Sequence, residues 1–275
     1  MLTLLLLQML AAADEPASDD QQRREAVARL APAKAKQMNV LVGDQEPVQA
    51  ALVEKPLLRW SNPTAGSVFG EVYLWTSRER PVAIASIYRW YHPFKDSTVE
   101  VVSLSSRPVQ AREGEAALWQ SPADGVTWQK LASAPRPAET ANARLGQMRS
   151  LAREFSAELA DQRSGEQVAR ELRLLNQPVH RYASPESGVI DGALFAFVET
   201  TDPEAWLLLE AAAQEGQTGW RFALARMNAD ELRIKRGGEL AAGWSKIVQP
   251  WRYRSAPYTL FGFDPDQVKI EPERN

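Results

Sequence analysis

An alternating pattern of apolar residues in the first half of the chain places the strongest constraint on the fold. In SVFGEVYLWTS, residues 67–77, large apolar side chains occur at both odd and even positions, as in a strand that is covered on both faces. The turn sequence RERP follows, and VAIASIYRWY, residues 82–91, alternates in the same way. The two segments are predicted to pair as a hairpin, with TVEVVSLSS as a third strand.

The second half of the chain repeats this hairpin character. ALFAFVETTDPEAWLLLEA holds two apolar runs about a turn, and Arg236-Gly237-Gly238 is a strong hairpin signal between further short strands. Alternating strand and helix units are absent from the pattern, which argues against a doubly wound sheet or a TIM barrel. The sequence therefore predicts an α+β fold, built mainly from an antiparallel β-sheet of hairpins and a meander.

One major amphipathic helix is predicted to pack on this sheet. Its apolar positions are spaced by three and four residues, which gives a single helical stripe. Thr140 is the candidate N-cap, and a Pro/Ala-rich segment, residues 132–138, precedes the helix. The stripe consists of Ala141, Leu145, Met148, Ala152, Phe155 and Leu159.

The chain divides into four predicted segments. Residues 1–13 are a predicted signal peptide, residues 14–39 a polar, loosely ordered arm, residues 40–263 a single α+β domain, and residues 264–275 a polar tail. A sub-division near residues 132–138 is the alternative to a single domain. Within the arm, a short helix is predicted to stop at Pro32, and no internal repeat is evident in the sequence.

The first residues of the chain predict export. The apolar run Leu2–Leu10 has the length of a signal-peptide core and is far shorter than the roughly 20 residues of a membrane-spanning helix. Ala11, Ala12 and Ala13 supply small residues for cleavage before Asp14. A buried N-terminal helix is the alternative, since no Lys or Arg precedes the apolar run. Export to the periplasm or the extracellular space is favoured.

Composition excludes several classes of function. The formal net charge is −3 and no run of Lys and Arg exceeds two residues, so no nucleic-acid partner is expected. The chain has no Cys, which excludes disulfides, Cys-ligated zinc and thiol catalysis. Because the sequence contains no glycine-rich nucleotide motif, no cofactor is predicted.

Catalytic and metal-binding patterns are also missing. His92 and His180 are the only histidines, and no HExxH pair is present, so no metal site is predicted. The sequence has no GxSxG elbow and no SxxK motif for a serine nucleophile. Glu71 and Glu199 each lie in an apolar strand, where a carboxyl group either gains a raised pKa or points outward by alternation. The outward orientation is favoured, and catalytic residues stay unassigned.

The segment SIYRWYHPFKDST, residues 86–98, is the candidate binding region. Its strand alternation places Tyr88 and Trp90 on one face and the next polar side chains on the other. One interpretation is that these aromatic residues belong only to the core; the other is a binding platform with Trp90 buried beneath it. The predicted binding residues are Arg89, Tyr91, His92 and Lys95.

Several segments together resemble an uncharacterised group of exported bacterial proteins. They are LLRWSNP, GSVFGEVYLWTS, IASIYRWY, ARLGQMRSLAREFSA, GALFAFVETTDPE and FALARMN. The likeness runs from about residue 40 to residue 263. It implies export and a single unit that is inherited together, and it implies no catalytic residue.

Two functions follow from these patterns as hypotheses. The first is an exported, non-enzymatic binding or interaction module of the cell envelope, whose partner is an envelope polymer or a protein. The alternative is a glycoside-type hydrolase that uses strand carboxylates. A shallow aromatic surface favours the first hypothesis, and a cleft with two facing carboxylates favours the second.

Overall fold

A computed structural model describes residues 19–122, 124–131, 133–161, 168–214 and 217–270. The predicted signal peptide, the start of the predicted arm and the last residues of the predicted tail lie outside these ranges. The described chain is mostly antiparallel β-sheet with two helices. None of the helices in these ranges is long and apolar enough to cross a lipid bilayer.

The described chain forms two successive groups of elements, here called the first and the second unit, with one short strand between them. The first unit contains α1 (Asp19–Gln37), β1 (Asn39–Val42), β2 (Val48–Gln49), β3 (Ala51–Leu52), β4 (Leu58–Ser61), β5 (Ser67–Ser77), β6 (Arg80–His92), β7 (Ser97–Ser103), β8 (Val109–Glu113) and β9 (Ala116–Ser121). The short strand β10 (Gln129–Lys130) follows. The second unit contains α2 (Ala141–Ala152), β11 (Phe155–Asp161), β12 (Val168–Leu174), β13 (His180–Ser184), β14 (Val189–Glu199), β15 (Asp202–Gln214), β16 (Gln217–Arg226), β17 (Leu232–Arg236) and β18 (Glu239–Trp244), and β19 (Tyr258–Phe263) follows it.

The two units have the same strand order. In the second unit the sheet runs β16-β15-β14-β12-β11-β17-β18, with β13 also paired to β14. In the first unit the order is β7-β6-β5-β3 and then β2-β1-β8-β9, with β4 also paired to β5. β3 and β2 together take the place of β12, so the first unit's sheet is divided where the second unit's sheet is continuous. The structure therefore contains a topological repeat that the sequence does not reveal.

Strand lengths and register confirm this equivalence. β5 and β14 both have 11 residues, and β6 and β15 both have 13. The register of each hairpin shifts at the same place, immediately before Thr76 pairs with Pro81 and before Val198 pairs with Pro203. The hairpins β8–β9 and β17–β18 also each contain one register shift at the equivalent position.

The buried apolar residues form three layers, one within each unit and one between the units. In the first unit, α1 packs on one face of β5 and β6, over a core that includes Ala31, Tyr73 and Trp75. In the second unit, α2 packs in the same way on β14 and β15, over a core that includes Phe195 and Phe197. The faces of the two sheets that the helices do not cover pack against each other in a third core. Because each sheet is apolar on both faces, its strands lack the simple apolar–polar alternation of a surface sheet.

The end of each unit crosses to the other unit. β10 pairs antiparallel with β16, and β19 pairs antiparallel with β7. Each unit thus receives an extra edge strand from the segment that follows its partner. This exchange joins the two sheets by backbone hydrogen bonds in addition to the shared core.

The predicted helix is shorter than its apolar stripe. Thr140 is the N-cap, and its hydroxyl accepts a hydrogen bond from Ala143, but α2 ends at Ala152. Phe155 and Leu159 lie in β11 instead, and both are buried. A spacing of four residues fits a helix and also a strand, because four is an even number. Pairing of β11 with β12 and β17 decides in favour of the strand.

The predicted arm contains a helix that is longer than expected. α1 continues past Pro32 to Gln37 and buries Val27, Leu30 and Ala35. Proline in a helix removes one hydrogen bond, but packing of the following turn on the sheet offsets that loss. Two helices, one on each unit, therefore replace the single major helix that the sequence predicts.

Candidate functional site

The predicted binding residues lie around the turn that connects β6 to β7, here called the hairpin tip (residues 89–96). His92, Phe94 and Lys95 are exposed, and 58% of Phe94 is accessible to solvent. The ring of Trp90 meets that of Phe94 edge-on, with 5.2 Å between the ring centroids. Trp90 is half-buried and packs on the core shared by the two units. The tip therefore exposes the ring of Phe94, which packs on Trp90.

Tyr91 and Arg89 occupy the opposite side of the hairpin tip. The ring of Tyr91 is half-buried, and its centroid lies 5.4 Å from the guanidinium group of Arg23 and 5.3 Å from that of Arg89. Its hydroxyl donates a hydrogen bond to the carbonyl of Arg23. Burial raises the pKa of Tyr91, and the positive charges of Arg89 and Arg23 lower it. Tyr91 thus contributes to the packing of α1 on the sheet, and Arg89 adds a cation beside it.

The second histidine lies in the other unit. His180 is half-buried in β13, where its ring stacks on that of Tyr182. Burial lowers the pKa of His180. Within the described ranges, no group of three or more His, Asp or Glu side chains has a geometry suited to a metal ion.

Glu71 points into the protein, contrary to the outward orientation favoured by the sequence. It is 2% exposed, accepts a hydrogen bond of 2.8 Å from Arg59 Nε and accepts one of 2.5 Å from the hydroxyl of Tyr73. The charge of Arg59 and the hydroxyl of Tyr73 make it possible to bury the carboxylate. Glu199 is half-buried and is hydrogen-bonded to Arg170 and Asn62.

A third strand carboxyl, Glu100 in β7, is the acid that the sequence reasoning missed. Its pKa is raised to about 8, mainly by burial and also by the charge of Glu204, although the hydroxyl of Tyr258 and the charge of Arg226 act in the opposite direction. The Tyr258 hydroxyl donates a short hydrogen bond to Glu100 Oε1. The available sequence signal for Glu100 was a single Glu within the apolar strand TVEVVS. The same kind of signal, one Glu in an apolar strand, indicated Glu71.

Arg226 lies beside this acid and fixes the loops around it. Its guanidinium group donates to the carbonyls of Asn228 and Asp230 at 2.7 Å and of Ser245 at 3.0 Å. Its charge also lies 5.2 Å from the ring centroid of Tyr258. Burial lowers the pKa of Arg226. Two of these contacts hold the loop between β16 and β17, and the contact to Ser245 connects the end of β16 to the segment that follows β18.

A cleft opens between β16 and β18, at the side of the second unit that faces the first. Its inner part is a cavity of about 420 Å³. A second groove of about 560 Å³ lies along β10 and the β17–β18 hairpin, and Gln129 lines both. We refer to the cavity and the groove together as the cleft. The cavity is lined by Leu224, Ala225, Arg226, Gly243, Trp244 and Tyr258, among others.

A separate charged cluster joins the two units. Glu210 is fully buried and receives hydrogen bonds from Arg80, Arg221 and the hydroxyl of Tyr182. The guanidinium groups of Arg80 and Arg221 both lie over the ring of Trp128, at 4.7 and 4.8 Å from its centroid. Because every group is engaged by a neighbour, this cluster serves to hold the units together.

No family model, curated protein or solved structure matches this chain. The proposed functions therefore rest on the geometry of the hairpin tip and on the environment of the strand carboxyl groups.

Proposed function

We propose that this chain is an exported, non-enzymatic binding module of the cell envelope, and that the hairpin tip binds an envelope polymer carrying anionic groups. The observation that carries the proposal is the joint exposure of His92, Phe94 and Lys95 on one turn. Export is supported by the pattern of residues 1–13, and it stays a prediction. The tip offers a different kind of surface from an enzyme cleft, since His92, Phe94 and Lys95 are all exposed to solvent.

The chemistry of the hairpin tip suits such a polymer. Phe94 provides a flat apolar face that is held in place by Trp90, and sugar rings stack on faces of this kind. The exposed Lys95 follows Phe94 directly, and Arg89 adds a second positive charge beside Tyr91. A polymer with carboxylate or phosphate groups would satisfy both features at once.

Binding to purified envelope polymers, before and after substitution of the tip, tests the proposal. Phe94→Ala combined with Lys95→Ala should leave the melting temperature nearly unchanged, because both side chains are exposed. The same double variant should lose most of its retention on the polymer that the native protein binds. Tyr91 is kept, since its substitution would also loosen α1.

A matched control removes an exposed aromatic residue and an adjacent cation elsewhere. Tyr253→Ala combined with Arg252→Ala meets this requirement, because both residues are exposed in the segment before β19. Retention should be unaffected in the control. Equal losses in both double variants would show nonspecific adsorption, and unchanged retention in the tip variant would refute the assigned site.

A second candidate function is glycoside-type hydrolysis, favoured by one observation. A carboxyl group whose pKa is raised to about 8, as that of Glu100 is, keeps its proton at neutral pH and can act as a general acid. The charge of Glu204 contributes to that raised pKa, and Glu204 would be the second carboxylate. Release of reducing sugars from envelope polysaccharides that Glu100→Gln abolishes would support this function, and no release by the native protein would reject it.

A further inference from the structure

The segment between β18 and β19, here called the connecting segment (residues 245–257), exposes three large apolar side chains. Val248 is 68% exposed, Trp251 52% and Tyr253 54%. No other stretch of six residues in the described ranges exposes as many large apolar side chains. Because burial of apolar surface away from water is favourable, such a group on one short segment indicates a contact surface.

The backbone of the connecting segment is held in place by hydrogen bonds to its neighbours. The carbonyl of the buried Pro250 accepts a hydrogen bond of 2.9 Å from the hydroxyl of Thr259, and it accepts another of 3.0 Å from the N–H of Tyr253. The carbonyl of Arg254 accepts one of 2.9 Å from the N–H of Gln120 in β9. The backbone is thus ordered before any partner binds, which lowers the entropic cost of binding.

The connecting segment also lies in a positively charged part of an acidic chain. Residues 240–263 contain Lys246, Arg252 and Arg254 and no Asp or Glu, whereas the whole chain has a formal net charge of −3. Lys246 is paired with Asp230 at 3.0 Å, so its charge is matched within the fold.

The two arginines keep their charges at the surface. Both Arg252 and Arg254 are exposed. Arg254 donates to the carbonyl of Leu118 at 3.1 Å and lies 4.7 Å from the ring centroid of Phe261, and both of these partners are uncharged. No carboxylate of the described residues forms an ion pair with either guanidinium group. The connecting segment therefore combines exposed apolar side chains with two positive charges that no ion pair matches.

We propose that the connecting segment docks the protein on an anionic phospholipid surface. Trp and Tyr favour the headgroup region of a bilayer, which accommodates both the apolar ring and its polar N–H or O–H group. Val248 would enter the boundary of the acyl chains beside Trp251 and Tyr253, and Arg252 and Arg254 would contact lipid phosphates. The connecting segment shares no residue with the hairpin tip, so this activity goes beyond the proposed polymer binding and does not depend on it.

Two features favour lipid over a sugar polymer or a protein partner. Val248 is the most exposed of the three apolar residues, and an aliphatic side chain offers a sugar ring no flat face, whereas acyl chains accept it. None of the three side chains lines the cavity or the groove of the cleft, where an anchor residue of a protein partner could insert. A fluid lipid layer adapts to side chains that no preformed pocket surrounds.

A local probe is possible because the chain has no Cys. Val248→Cys provides a single thiol for a fluorophore whose emission shifts to the blue in lipid. The labelled full-length protein is titrated with vesicles of one part phosphatidylglycerol to two parts phosphatidylcholine, and separately with vesicles of phosphatidylcholine alone. Phe94→Cys, labelled in the same way, is the matched control, because Phe94 is similarly exposed at the hairpin tip. The label at position 248 reports contact of this segment rather than attachment of residues 1–13.

Two double variants in the Val248→Cys background test the charges. Arg252→Gln combined with Arg254→Gln removes both positive charges of the surface. Arg29→Gln combined with Lys36→Gln is the matched control, because both residues are exposed on α1 and the change in net charge is the same. Circular dichroism with thermal melting verifies folding, and Arg252→Gln alone serves as a milder variant.

We expect a saturable blue shift of the label at position 248 with the anionic vesicles, and an affinity for the neutral vesicles that is weaker by roughly tenfold or more. The label at position 94 should shift little. Each cation near an anionic surface contributes about fivefold in affinity, so the Arg252 and Arg254 double variant should bind about 20- to 30-fold more weakly. The Arg29 and Lys36 double variant should bind nearly as well as its parent.

No blue shift at position 248, an equal shift at position 94, or equal weakening by the two double variants would overturn the proposal. Loss of polymer retention in Tyr253→Ala combined with Arg252→Ala, without a lipid response at position 248, would also overturn it and would assign the connecting segment to the polymer. Because polymer retention by the hairpin tip is measured separately, the two proposals can fail independently.

Discussion

The ring of Tyr182 lies across Gly192, so closely that a Cβ atom at Gly192 would be 2.5 Å from the ring. The two residues are cross-strand partners in β13 and β14. The first unit has the same arrangement at the equivalent place, where Trp60 is paired with Gly70 and a Cβ atom would be 2.4 Å from its ring. In both units, an aromatic ring thus covers the backbone of the first strand of the meander, and only glycine leaves room for it.

Gly192→Ala should therefore destabilise the protein by about 1–3 kcal/mol, because the added methyl group must displace the ring of Tyr182. Urea unfolding measures the change. Gly146→Ala, in the open face of α2, should instead be neutral or stabilising by up to about 1 kcal/mol. Equal effects of the two substitutions would show that the ring does not confine Gly192.

Phe155→Ala should destabilise the protein by about 3–5 kcal/mol, as expected for a core aromatic residue. Phe155 is 4% exposed, and its ring lies 5.0 Å from that of Phe222. Phe94→Ala, at the exposed hairpin tip, should change the free energy of unfolding by less than about 0.5 kcal/mol. A small effect at Phe155 in the same denaturation series would contradict the placement of β11 in the core.

Glu100→Gln should change how stability depends on pH. Burial raises the pKa of Glu100 from 4.5 to about 8, so the folded state binds this proton more tightly than the unfolded state does. The native protein should therefore lose stability as the pH rises from 4.5 toward about 8, where the carboxyl ionises near Glu204. Gln cannot ionise and still accepts a hydrogen bond from Tyr258.

The stabilising effect of Glu100→Gln should accordingly be small near pH 4.5 and largest above about pH 8. Melting temperatures across this range, for the native protein and the variant, test the expectation. Parallel profiles would mean that Glu100 titrates at its ordinary pKa in the folded protein.

Glu210→Gln should destabilise the protein by about 3–5 kcal/mol, because it removes the fully buried carboxylate that the half-buried Arg80 and Arg221 share. The comparison is Glu186→Gln, which breaks an ion pair with Arg78 whose two side chains are 69% and 68% exposed. That change should alter the free energy of unfolding by less than about 1 kcal/mol. Similar effects at both sites in guanidinium melts would refute a structural role for the Glu210 cluster.

The hairpins were predictable because their signal is local. Alternation in residues 67–91 is sufficient to pair β5 with β6, and the following apolar run then gives β7. The repeat was not predictable, since the units share few residues and preserve mainly strand length and register. Identical residues at equivalent positions include the pairs Arg59 and Arg181, Pro63 and Pro185, Gly66 and Gly188, Gly70 and Gly192, and Pro81 and Pro203.

The candidate sites were predictable to different degrees. Alternation along β6 and the turn at Pro93 indicated Arg89, Tyr91, His92 and Lys95, and these four residues stay a predicted binding site. The burial of Glu71 depends on Arg59 in the neighbouring strand, which alternation alone does not reveal. The cleft is formed by strands that are distant in sequence, and only their convergence in the fold creates it.

Retention of the native protein and of the hairpin-tip double variant on one purified anionic envelope polymer is the most direct test of the account, because His92, Phe94 and Lys95 are exposed together on one turn. The account predicts that the native protein is retained. It also predicts that Phe94→Ala combined with Lys95→Ala removes most of that retention without lowering the melting temperature. Equal retention of the native protein and the double variant would contradict the assigned site.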